Sequence, residues 1–102
     1  MDNLKHKLVD GKVLTYRKVV VHTFLLSDVE DPEIYAAGPI WDWQQTEEGK
    51  FVLEHAEEEP VFHHQVDYQN YGYKFAITAV LEEKKLTEYY LKFGKPFHKI
   101  IN

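Results

Sequence analysis

The sequence predicts an α+β fold: an antiparallel sheet of about four strands with a helical segment, residues 32–56, packed on one face. Three observations carry this prediction. Apolar residues alternate along 12–26, 61–68, 73–81 and 87–93, the period of strands. A segment led by Asp31-Pro32 and rich in Gln, Glu and Ala separates the first of these from the rest. The last three strands are joined only by short polar turns, as in a meander, and runs of strands beside a segregated helix argue α+β.

Lys12 to Leu26 reads as a long first strand. Val13, Val19, Val21 and Leu25 fall on one face, and Leu14, Tyr16, Val20, Phe24 and Leu26 on the other. Apolar residues on both faces place it centrally or covered on both sides. The polar pair Arg17-Lys18 is the expected place for a bulge or for contact with water. Ser27 to Asp31 is a turn. Asp31 then supplies an N-cap, Pro32 the first helical position and Glu33 an acid in the first turn. Gly38-Pro39 is expected to end that short helix and to open a second one running to about residue 56. The competing reading of 39–56 is a β-hairpin, with strands Pro39–Gln45 and Lys50–Ala56 around Thr46–Gly49. Gly49 argues for the hairpin, because glycine within a helix costs about 1 kcal/mol relative to alanine. Gln44, Gln45, Glu47, Glu48 and Leu53 favour the helix.

Glu57-Glu58-Glu59-Pro60 ends the helical segment. Val61 to Tyr68 is the next strand, followed by a turn at Gln69-Asn70-Tyr71-Gly72. Tyr73 to Leu81 is the cleanest strand, with Tyr73, Phe75, Ile77, Ala79 and Leu81 on one face. Glu82–Lys85 reads as a hairpin loop and Thr87 to Phe93 as its partner strand. The 102 residues form one domain, with 1–11 and 95–102 as loose tails.

The net charge of -5 is unevenly spread. Residues 1–27 carry +3, residues 28–59 carry -10 and residues 60–102 carry +2. This acidity disfavours a protein that coats duplex nucleic acid, which needs a basic surplus. There are no cysteines, so disulfides, thiolate catalysis and thiolate zinc sites are excluded, and a reducing compartment is the natural setting. No apolar run approaches the roughly 20 residues of a membrane span, and the first eleven residues lack the apolar stretch of a signal peptide. The chain reads as a cytoplasmic protein with no membrane partner.

Candidate chemistry is sparse. The six histidines include the adjacent pair His63-His64, with His55 upstream. A carboxylate–imidazole metal site or an acid–base pair built on His55, His63 and His64 is the alternative to a binding role. Neighbours on a strand point to opposite faces, however, which separates His63 from His64. Ser27 and Thr46 sit in no nucleophile elbow. The five glycines are too far apart to cradle a phosphate, so no cofactor is expected. A third reading is base stacking on the sheet through Tyr68, Tyr71, Tyr73 and Tyr90, with Arg17, Lys18, Lys74 and Lys92 tracking a single strand.

The densest aromatic segment lies inside the acidic block, from Glu33 to Trp43. On a helix, Trp41 and Trp43 lie some 200° apart, so both cannot face a core. One is then left exposed among acids, and aromatic residues dominate binding hot spots. Tyr35, Trp41, Asp42 and Trp43 form the expected contact patch, with Glu47 and Glu48 at its rim.

The runs Asp28–Ala37, Trp41–Thr46, Gly49–Ala56 and Gly72–Ile77 resemble small uncharacterised proteins of large tailed phages of marine bacteria, including cyanophages. The similarity spans residues 20–93. It implies a virus-encoded protein acting in the bacterial cytoplasm or built into the particle, and it assigns chemistry to no residue. Together these readings predict a non-enzymatic interaction module whose partner is a host protein, a viral protein or a second copy of itself.

Overall fold

The computed structural model describes residues 4–69 and 71–94. In chain order the elements are β1 (Leu4–Val9), β2 (Lys12–Ser27), α1 (Pro32–Gln45), α2 (Glu47–His55), β3 (Val61–Asp67), β4 (Gly72–Glu82) and α3 (Glu83–Phe93). The four strands form one antiparallel sheet in the order β1-β2-β4-β3. The α+β class, the four strands and the helices over 32–55 agree with the sequence. The identity of the fourth strand does not.

That fourth strand is β1, in a segment expected to be a loose tail. Asp10 and Gly11 both have positive φ, 50° and 76°, between the paired residues Val9 and Lys12. This is the two-residue turn that favours Asp-Gly, because its twist matches that of the flanking strands. The other expected strand, Thr87–Phe93, is the helix α3. Leu86, Tyr89, Tyr90 and Phe93 recur at intervals of three and four, and all four turn inward, fully or in part. Glu82 caps the helix by accepting from the Lys84 backbone N–H at 2.7 Å, so the expected hairpin loop at 82–85 is the first turn of α3. The tail 95–102 and Asn70 of the expected turn lie outside the described residues.

The helical reading of 39–56 prevails over the hairpin. The expected break at Gly38-Pro39 is absent, since α1 runs from Pro32 through Pro39 to Gln45. Pro39 removes one backbone donor and crowds the preceding turn. Gly38 before it has no Cβ to collide with the proline ring. Burial of Ala36 and Trp43 on either side holds the helix together. Thr46 then separates α1 from α2. Its hydroxyl donates to the Trp43 carbonyl at 2.6 Å and accepts from the Gly49 N–H at 2.9 Å.

The bulge in β2 falls between Val20 and His22, not at Arg17-Lys18. It reverses the strand's parity. Val19 and Val21 face the helices on one side of it. Beyond it Phe24, paired with Phe75, takes over that face, and Leu25 moves to the opposite side. The core between sheet and helices contains Val21, Trp43, Val52, Ile77, Ala79 and Tyr89, with Phe51, Tyr90 and Phe93 packed against it.

No helix among the described residues covers the opposite sheet face. At one end Lys7 and Lys5 of β1 reach Glu57 and Glu58, the latter pair at 3.8 Å. The Glu57 backbone N–H donates to Val80 of β4 at 2.8 Å, so this contact ties β1 to the far side of the sheet. Tyr16 lies beneath it, buried, with the Lys7 ammonium 5.7 Å from its ring centre. The hydrogen bond to Lys7, aided by one from Tyr16, holds the Glu57 carboxyl below its ordinary range, and the same bond raises Lys7.

Candidate functional site

The two faces of α1 divide the residues expected to form one patch. The inner face places Ala36 and Trp43 in the core. Trp43 is 3% exposed and stacks on His22 of β2, with ring centres 6.0 Å apart and planes 20° apart. Trp43 is therefore a core residue and must be struck from the contact patch. Its indole N–H has no hydrogen-bond partner among the described residues. Glu48 also turns away from the surface: it is half-buried, with a carboxylate oxygen 3.4 Å from the Tyr89 hydroxyl. That hydroxyl donates to the Val21 carbonyl at 3.3 Å. Burial, and then the Glu48 charge, push the Tyr89 phenol far above its ordinary value.

The outer face keeps Tyr35 at 59% and Trp41 at 60% exposure, with Asp42 exposed beside them. Ile34, 67% exposed, joins this surface. Ile34, Gly38 and Trp41 follow at helical spacings of four and three, so they share one stripe. Space around Gly38 is open, leaving a notch between the two larger side chains. Glu33 and Asp42 flank the stripe, and Glu47 lies exposed at the start of α2. None of these three acids pairs with a cation among the described residues. The outer face of α1 is therefore apolar at its centre and acidic at its margin. Sequence reasoning missed Ile34 and Gly38. Their spacing from Trp41 was visible, but the expected break at Pro39 placed them on a different helix.

The histidines are dispersed. His63 lies on the helix-free sheet face and bonds Thr78 at 3.1 Å. His64, on the opposite face, stacks on Phe75 with ring centres 5.1 Å apart. His55 packs against Phe51 at 4.6 Å. Among the described residues no three His, Asp or Glu side chains converge as metal ligands would. His98 lies outside the described residues. The tyrosines proposed to stack bases do not share a surface either. Tyr68 and Tyr71 are exposed at the β3–β4 end, whereas Tyr90 packs against the core from α3. Lys92 is on α3, not on the sheet.

A shallow groove of about 210 Å3 crosses the helix-free face, lined by Val20, Thr23, His63, Gln65, Lys74 and Ala76. Its lining is mostly apolar, with His63 and Lys74 as its titratable side chains from this face. No helix among the described residues is long and apolar enough to cross a membrane. No family model matches the chain, and no curated protein or solved structure matches it.

Proposed function

We propose that this chain is a non-catalytic interaction module that binds a protein partner through the outer face of α1. The observation that supports this reading is the exposure of Trp41 in line with Ile34 on a helix whose opposite face already fills the core. An isolated exposed apolar residue needs no explanation, but large apolar side chains aligned along one exposed helix face favour an interaction surface. Trp and Tyr give large contact area with few rotatable bonds, which is why they anchor interfaces. The unpaired acids around the stripe favour a partner that offers a short apolar segment flanked by Lys or Arg, and they set its orientation and speed its approach. The similarity to phage proteins would make that partner a host protein or another viral protein.

The test compares retention of partners from a host lysate on the wild type with retention on Trp41→Ala and Asp42→Lys. A single species held by the wild type and lost by both variants supports the reading, provided their far-UV circular dichroism is unchanged. Equal retention by all three overturns it.

A further inference from the structure

The outer edge of β3 is the second place where the fold stops short. Among the described residues β3 is the last strand of the sheet, and six of its seven residues are exposed. The two sheet edges are built differently. β1 carries Lys5 and Lys7, the charged side chains that commonly keep an edge from pairing with another chain. β3 reads Val-Phe-His-His-Gln-Val-Asp, with no lysine, arginine or proline and one formal charge at its end.

A row of rings also runs across the sheet to this edge. Phe24 of β2 stacks on Phe75 of β4, with centres 5.0 Å apart and planes within 4°. Phe75 in turn stacks on His64, at 5.1 Å and 28°. The row ends at His64, which lies at the midpoint of β3.

We infer that two copies of this chain associate by pairing their β3 strands antiparallel about a two-fold axis at His64. In that register Phe62 faces Val66 of the other copy, twice, and both are about half exposed in the single chain. Val61 faces Asp67 and His63 faces Gln65, so no two acids and no two lysines oppose each other. The two His64 rings meet at the axis and join both ring rows into one. The outward backbone groups between Phe62 and Val66 gain strand partners, and the side-chain pairs lie at ordinary cross-strand distances. A self-complementary strand is what an isologous two-fold contact requires. The occupant is a second copy of this chain, and Phe62 and His64 border α1 at Glu33 and Ile40.

The test uses the whole chain. Sedimentation equilibrium should show a reversible monomer–dimer exchange. Val66→Lys, which sets an ammonium against Phe62 of the other copy, should give a monomer. Adding Phe62→Glu to it creates an opposite-charge pair at both mirrored contacts and should restore the dimer. The chain has no cysteine, so His64→Cys supplies one thiol per copy. Residues directly opposite lie about 4.5–5.5 Å apart at Cα, within disulfide reach. Added diamide should take two electrons and two protons from the two thiols and link the chains rapidly. Glu88→Cys on α3 should link no faster than random collision. A wild type that stays monomeric at millimolar concentration overturns the inference. So does a Val66→Lys variant that dimerises as before, or His64→Cys cross-linking no faster than Glu88→Cys. If Val66→Lys does not fold, the cysteine pair decides alone.

Discussion

Gly49 approaches Trp43 so closely that a β-carbon on it would sit 1.9 Å from the Trp43 carbonyl oxygen. The carbonyl is backbone and cannot swing aside, and it is already held by the Thr46 hydroxyl and N–H at 2.6 and 3.0 Å. Gly49→Ala should therefore destabilise the protein by about 3 kcal/mol, the upper part of the range for overpacking, although alanine is the better helix former. Urea unfolding checks this. A stabilised Gly49→Ala protein would mean that α1 and α2 do not meet in this way.

The same glycine shows where sequence reasoning ran out. Read locally, Gly49 weakened the helix and supported a hairpin. In the fold it permits the contact between two helices, a tertiary requirement that no local propensity reports. The interior of β4 was legible, because Phe75, Ile77, Ala79 and Leu81 alternate without interruption. The termini of the sheet were less so. Tyr89 and Leu91 in 87–93 also fit period two, but Leu86, Tyr89, Tyr90 and Phe93 fit the helical stripe over a longer stretch, and the longer match decides. The Asp10-Gly11 turn was a strong local signal that the charged character of the first eleven residues obscured. For the candidate site, the helical reading required one tryptophan of two to be exposed, whereas the hairpin reading put both on one face. Which one followed only from the way α1 sits on His22 and Val21.

The two tryptophans should behave oppositely when truncated. Trp41→Ala removes an exposed side chain and should change stability by no more than about 0.5 kcal/mol. Trp43→Ala empties a core position and should cost about 3–5 kcal/mol. Trp43→Phe should cost clearly less, because it also removes a buried indole N–H that has no partner among the described residues. Denaturant midpoints of the three variants give the order. A large loss for Trp41→Ala would place that residue in the core and defeat the proposed binding surface.

The Lys7–Glu57 contact should respond to acid. Its Glu57 carboxyl has a folded-state pKa below the unfolded value. A depressed carboxyl contributes stability that is present above the unfolded pKa and is lost as pH falls through the folded one. Protonation of Glu57 should thus loosen β1, and Glu57→Gln should reproduce that loosening at neutral pH. Lys7 is exposed and Glu57 only half-buried, so the global midpoint should move little. Amide hydrogen exchange reads the local effect: faster exchange in Leu4–Val9 than in β4 for the variant, and no such difference between wild type and variant at pH 3.

His22 should make the whole core sensitive to mild acid. It lies half-buried between Trp43 and Phe24, with ring centres 6.0 and 6.1 Å away. Burial lowers its pKa, and the nearby Glu48 charge offsets only part of that effect. Above the unfolded pKa of about 6.5 the imidazole is neutral in both states and the shift has no consequence. Below it the unfolded chain takes up a proton that the folded one resists, so stability falls as pH drops from that value through the folded pKa. The urea midpoint of the wild type should fall between pH 7.5 and 5.5, a window above the range in which most carboxylates titrate. His22→Gln should flatten that fall, because its side chain does not titrate, whatever its own effect on packing. Glu48→Gln should steepen it, because it removes the charge that favours the imidazolium. An equal fall in all three proteins would assign the acid sensitivity to other groups.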